Sequence, residues 1–269
     1  MKLPSVLFAA LLIPLSVTAQ TGALKISYNY HFFTVRGSEV ERPMILITDM
    51  EKSKFYNPTT DWIDSLNTTP EGRAKYRAMR PRSYTGKELG SIPTRWEKMY
   101  VTKNRTDSLI TEYDTLGDER LYYSDKLQPI EWNMTDSTKT ILGYECAGAE
   151  AYYHGRHWHV FFTPEVPLPE GPWKLCGLPG IILEAKDSTG QYSFTADGLE
   201  EYPTAVPPIY EQELYERTTR KELLKDKRFF NENLGAIVTS MTDAKELHQS
   251  QLKSLQLKTD LDFLETDYR

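Results

Sequence analysis

Cysteine is scarce in this 269-residue chain, which has only Cys146 and Cys176, so one disulfide is the most it can form within itself. Basic clusters are missing as well. The 32 lysines and arginines are dispersed among 38 acidic residues, for a formal net charge of −6, and such a surface offers no track for nucleic acid or anionic lipid. No apolar run of membrane-spanning length follows the first twenty residues, and there is no internal repeat or low-complexity linker. Enzyme signatures are absent too: no Gly-x-Ser-x-Gly, no His-Glu-x-x-His, no P-loop and no dinucleotide fingerprint. Serine, histidine and acidic residues are present, but nothing in their order picks out a triad. These absences point away from an enzyme and towards one globular domain. At 39% hydrophobic residues it has enough apolar material for a substantial core, and its 17 tyrosines favour β-structure.

Residues 1–19 read as an export signal. Lys2 supplies the positive end, Val6 to Val17 forms an apolar run too short to span a bilayer, and Val17-Thr18-Ala19 sets small residues before a cut. The mature chain is expected to begin at Gln20 or Thr21, with no cysteine near the cut for a lipid anchor. Without Lys2 the net charge becomes −7. Export places Cys146 and Cys176 in an oxidising compartment, where a disulfide between them is the expected state and a free or metal-bound pair the alternative. A loop of that size adds roughly 3–4 kcal/mol in the chain-entropy picture.

The remainder, residues 20–269, is expected to be a single β-rich domain. Leu24, Ile26, Tyr28, Tyr30 and Phe32 alternate with polar residues, a strand with one buried face. Residues 44–48 and 53–56 flank a hairpin turn at Asp49 to Lys52. Between 58 and 81 the texture turns helical, with starts at Thr60-Asp61 and Thr69-Pro70-Glu71 and a stop at Pro81. Short strands are expected at 96–102, 108–113, 120–123 and 130–132. The region 205–269 reads as helical and peripheral, with helices at 210–230 and 243–255. The fold class is therefore mainly β: a curved antiparallel sheet, of the open half-barrel kind seen in lipoprotein carriers, with flanking helices.

One polar cluster stands out at His154 to His159. If His154-Gly155 is a two-residue hairpin turn, Tyr152 lies opposite His157 and Glu150 opposite His159. Glu150, Tyr152, His157 and His159 then share one face, and Ala151, Trp158, Val160 and Phe162 share the other. Two imidazoles and a carboxylate so arranged can ligate zinc or copper. The reading preferred to this is a wet sheet face whose histidines happen to be adjacent, since zinc sites usually want three or four fixed ligands and His31 or His248 would have to complete this one through a contact of the fold. Arg156 reads as a turn-flanking surface charge, and Glu165 as a lone rim carboxylate.

The most tightly specified stretch is Gly171 to Ala185. Pro179 fixes its own φ and Gly180 can take positive φ, so Leu178 to Ile181 reads as a type II turn feeding an apolar strand from Ile181. A hairpin then returns through Gln191 to Ala196. Gly177-Leu178-Pro179-Gly180-Ile181-Ile182 resembles the hexapeptide for which the GLPGLI family is named, with Ile181 in place of the family's Leu. The resemblance takes in Ile141 to Cys146, Gly155 to Trp158, Phe162 to Pro167 and Gly171-Pro172, and covers roughly residues 131–200. That family comprises exported proteins of the Bacteroidota without an established activity, so the likeness implies a compartment and a common core but no catalytic residues. It also implies that Asp-Ser/Thr sites at Asp64, Asp107, Asp114, Asp136 and Asp187 are either O-glycan acceptors or turns.

The expected function is that of an exported envelope accessory protein, periplasmic, secreted or associated with the outer membrane, which binds an apolar small molecule, lipid or peptide, or an envelope protein. Metal handling through His157, His159 and Glu150 is the second reading, and an enzyme of unrecognised class the third. A buried apolar cavity beneath the 58–81 insertion would favour the first, and convergent ligands around His157 the second.

Overall fold

The computed structural model describes residues 23–79, 93–241 and 255–268. The leader, the helix stop at Pro81, His248 and all but the last residue of the 243–255 stretch lie outside the described residues. The first predicted strand is β1 (Ala23–Phe33), with Ile26, Tyr28 and Tyr30 buried and the residues between them half-buried. Next come β2 (Glu39–Thr48) and β3 (Lys52–Tyr56), the expected hairpin. Its turn is held by the Asp49 carboxylate, which accepts from the amides of Glu51 and Lys52 at 2.8 and 2.7 Å.

The helical insertion comprises α1 (Pro58–Asn67) and α2 (Pro70–Ala78). α2 starts where Thr69-Pro70 predicts. α1 starts slightly earlier than expected, because Asn57 caps it by accepting from the Thr60 amide at 3.0 Å and Pro58 opens the first turn. The same Asn57 donates its side-chain amide to the Pro43 carbonyl at 2.9 Å, which fastens the helix to β2. Thr60, Ile63 and Asp64, at helical spacing, face inward.

The chain continues through β4 (Tyr100–Asn104), β5 (Leu109–Leu116), β6 (Glu119–Lys126), β7 (Asn133–Ile141), β8 (Tyr144–Tyr153), β9 (Arg156–Thr163), β10 (Ile181–Asp187) and β11 (Tyr192–Tyr202). A two-residue strand, β12 (Glu216–Arg217), and two helices, α3 (Arg220–Glu232) and α4 (Leu234–Met241), follow. Among the described residues all twelve strands belong to one sheet, in the order β12-β6-β5-β4-β3-β2-β1-β11-β10-β9-β8-β7. Among the described residues only the β12–β6 pairing is parallel. The protein is thus mainly β, and among the described residues its sheet does not close into a barrel.

The sheet is nevertheless strongly curled. In a flat sheet β5 and β9 would lie about 34 Å apart, at roughly 4.8 Å per strand. Yet the adjacent residues Trp173 and Lys174 reach both: the Trp173 ring lies 5.7 Å from that of Trp158 on β9, and Lys174 Nζ lies 2.7 Å from Glu112 Oε2 on β5. Phe55 on β3 likewise meets Phe194 on β11, with ring centroids 5.8 Å apart. The inner face of the curl is occupied by the chain's own segment 164–180. Trp173 and Leu175 on that segment and Trp158 on the sheet are fully buried.

Burying an irregular segment demands partners for its backbone. Lys103, itself fully buried, donates to the carbonyls of Gly171 and Leu175 at 3.2 and 3.1 Å. The Ile182 amide donates to the Glu170 carbonyl at 2.8 Å, and the Ile181 amide to that of Val166 at 3.0 Å. The expected type II turn at Leu178 to Ile181 is not formed. The glycine at positive φ is Gly177 (93°), not Gly180. Gly180 is needed for space instead: a Cβ there would lie 2.0 Å from the Thr163 carbonyl oxygen. Pro179 sits exposed between them.

The disulfide between Cys146 and Cys176 is not formed either. Both are buried free thiols, and they occupy different neighbourhoods. Strand alternation puts Cys146 on the same side of β8 as Glu150, opposite to Ala149 and Ala151, which face the 164–180 segment that carries Cys176. Burial pushes both thiols up, but the charged neighbours of Cys146 are Glu145, Glu165 and Glu184, whereas those of Cys176 are Lys103, Glu170 and Arg105.

Other departures from the sequence reading have local causes. The strand expected at 130–132 is absent because Pro129 breaks the approach, so pairing begins only at Asn133. Residues 96–99 stay out of the sheet, and the Glu97 carbonyl accepts from the Thr60 hydroxyl of α1 at 2.6 Å. The helix expected from 210 starts only at Arg220, where Thr219 and Glu222 form a capping box. Residues 205–215 instead lie on the outer face, where Val206, Ile209 and Tyr215 pack on Ile47, Tyr56, Tyr100 and Tyr113. The terminal stretch is not peripheral, since Glu265 and Tyr268 are buried.

Candidate functional site

Three arrangements of polar or aromatic side chains are candidates for chemistry. The first lies inside the curl. Lys174, 1% exposed, pairs with Glu112 and Glu265 and bonds the Tyr123 hydroxyl. Lys227 pairs with Glu112 and Asp114, and Arg220 with Glu265 and Asp267. Burial raises the Glu112 carboxyl, but Lys174 and Lys227 outweigh it and draw the group down to about 2. Every one of these ions has a counter-ion, which makes the cluster a structural lock between β5, the 164–180 segment, α3 and the tail. His154, Glu265 and Asp267 also converge there, but Arg220 already occupies both carboxylates.

Arg156 belongs to the same kind of buried frame rather than to the surface. At 6% exposure it donates to Asp187 at 2.7 Å, to the Gln191 side chain at 2.9 Å and to the Phe263 carbonyl, with its guanidinium over the Tyr192 ring. It therefore ties β9 and β10 to the tail.

The second arrangement is the β8–β9 hairpin. His154 and Gly155 take positive φ (49° and 81°), the two-residue turn expected of them. The register pairs Glu150 with His159 and Tyr152 with His157. Trp158, Val160 and Ala151 face inward and are buried. Outside, Glu150 Oε2 lies 3.7 Å from His157 Nε2 and 3.4 Å from His159 Nδ1, and one ligand atom from each residue falls within 4.8 Å of the others. Tyr152 stacks on His157 with centroids 4.5 Å apart. His31 does not join them: it lies on β1, three strands from β9, and pairs with Glu39 of β2 at 2.8 Å. Glu165 accepts from the Glu145 amide at 3.1 Å, a tie between the 164–180 segment and β8.

The third arrangement was not legible beforehand. A groove of about 570 Å³ runs between the start of β2, the start of α1 and residues 93–96, lined by Glu41, Arg42, Pro43, Pro58, Trp62 and Trp96 among others. Because α1 turns Thr60, Ile63 and Asp64 inward, Trp62 points outward, and Trp96 is 69% exposed. The Arg42 guanidinium lies 5.7 Å from the centre of the Trp96 ring. The signal in the sequence was Pro43, Pro58 and Pro93 flanking two tryptophans, but nothing local said that these segments meet.

Fold and site together define a mainly β protein with a self-filled, curled single sheet and an open aromatic groove. No family model and no curated protein matches the chain. Among solved structures it is similar to PNGF-II in the P21 space group, with a TM-score of 0.50 and 16% identity over 76% of this chain and 33% of that one. The C2 crystal form of PNGF-II gives a TM-score of 0.49, 16% identity and coverage of 76% and 32%. The chain thus spans about a third of the length of the solved structures it matches, and the likeness to the P21 form is one of fold alone.

Proposed function

We propose that this chain is an exported accessory protein of the bacterial envelope, of the GLPGLI group, that binds an extended peptide segment in the Trp62–Trp96 groove. The observation that carries this reading is the pairing of two solvent-facing indoles with proline rings and a guanidinium in one open cleft. Exposed aromatic surface of this kind is characteristic of binding sites, and tryptophan and arginine are the residues that most often anchor interfaces. An extended peptide matches the lining, with flat apolar rings for its side chains and Glu41 and Arg42 for its backbone and charged groups. A lipid fits less well, because the groove is open and edged by polar groups, and the inner face of the sheet, where a carrier would hold an acyl chain, is filled by Trp173, Leu175 and Leu178.

The test is native mass spectrometry of the mature protein purified gently from its own envelope fraction, alongside a Trp62→Ala/Trp96→Ala variant. A peptide-sized adduct on the parent that is lost in the variant is the expected result. An adduct retained by the variant, or a bare polypeptide whose tryptophan emission is unmoved by an envelope peptide digest, would overturn the assignment.

A further inference from the structure

The geometry of the β8–β9 hairpin points to a second, independent site: we infer that Glu150, His157 and His159 bind a divalent transition-metal ion, Zn²⁺ or Cu²⁺, exchangeably on the outer face of the sheet. A tetrahedral zinc with bonds of 2.0–2.1 Å sets its donor atoms about 3.3–3.4 Å apart. Glu150 Oε2 stands 3.4 Å from His159 Nδ1 and 3.7 Å from His157 Nε2. Those separations are longer than the roughly 2.7–2.9 Å of a charge-assisted hydrogen bond and close to a coordination edge. Two of the three donor separations thus approach a coordination edge, and all three donor atoms lie within 4.8 Å of one another.

The backbone that presents them is rigid, which is what an efficient metal site requires. The tight turn at His154-Gly155 sets the register, Glu150 pairs directly with His159, and β7 and β10 flank the hairpin on its two sides. Beneath the ligands, Trp158 and Val160 anchor the same strand in the core. The ring of Tyr152 against His157 limits rotation of that imidazole. Three protein ligands leave a fourth position open to solvent, unlike the closed four-ligand shell of a structural zinc site. Lys186, paired with His159 in the β9–β10 register, places a cation beside the site and holds its affinity down. Two imidazoles and one carboxylate suit copper and zinc, and by the general order of divalent affinities copper binds more tightly.

The experiment uses the full mature chain, freed of any polyhistidine tag, titrated with Zn²⁺ and Cu²⁺ against a chromophoric chelator. One equivalent of either ion is expected to bind. Replacing His157 and His159 together by alanine is expected to weaken binding by at least the roughly 10–100-fold that loss of even an outer-shell partner costs, whereas His31→Asn leaves it unchanged and Lys186→Gln tightens it. Both histidines lie on the outer face, so the double variant is expected to fold, which circular dichroism verifies. Electron paramagnetic resonance of the Cu²⁺ form gives a second readout on the unaltered protein, with hyperfine structure from two nitrogens expected. No binding at metal concentrations near 100 µM, equal affinity in the double variant, or a spectrum without nitrogen coupling would each overturn the assignment.

Discussion

Replacing Glu112 by glutamine tests the lock inside the curl. Glu112 is 2% exposed and sits between Lys174 Nζ at 2.7 Å and Lys227 Nζ at 3.3 Å, with the Tyr123 hydroxyl donating to it at 3.0 Å. Burial alone would raise this carboxyl, and the two ammonium groups instead bring it from 4.5 to about 2. At 1.36 kcal/mol per pH unit, a displacement of that size makes the ionised form worth about 3 kcal/mol to the folded state. Because the folded-state value is depressed, this stability is fully present above the unfolded carboxylate's range and is lost as pH falls towards 2, with about half of it gone by roughly pH 3.5. Glutamine keeps the shape and removes the charge, so Glu112→Gln should cost about 3 kcal/mol at pH 7 and progressively less below pH 4. Urea denaturation of both proteins at several values between pH 7 and pH 3 measures this. A cost below about 1 kcal/mol at neutral pH, or one that does not shrink on acidification, would refute the view that paired charges fasten the segment to the sheet.

Arg156→Ala should destabilise by about 3–5 kcal/mol, because it leaves Asp187 buried without its counter-ion, and should release residues 262–268 to proteolysis; Arg156→Lys recovers little, since lysine lacks the fork that reaches Asp187, Gln191 and the Phe263 carbonyl together. Gly180→Ala should cost about 3 kcal/mol or more, because its Cβ would meet the fixed Thr163 carbonyl. Gly177→Ala, which strains only a backbone at φ 93°, should cost about 1–2 kcal/mol. Thermal melts that ranked the two glycine variants in the opposite order would contradict the reading of Gly180 as a close-approach position.

The sequence by itself determined what depends on neighbours along the chain. Period-two alternation located β1, the Asp49 turn located the β2–β3 hairpin, and His154-Gly155 set the register that brings Glu150 opposite His159, because a two-residue turn permits only that pairing. Thr69-Pro70 located α2 for the same reason: caps and turns are local chemistry. Tertiary structure decided everything that depends on which strands meet. Nothing in the order of residues says that β1 pairs with β11, or that the sheet curls until Lys174 reaches Glu112, so a buried lysine lock read as scattered surface charge. Arg156 looked like a turn residue because its partners lie 31 to 107 positions away. Cys146 and Cys176 looked like a pair because compartment and count say nothing about which side of a strand each sulfur takes. The groove between Trp62 and Trp96 exists only because Asn57 joins α1 to Pro43 and the Glu97 carbonyl joins Thr60, two hydrogen bonds between segments that sequence distance keeps apart.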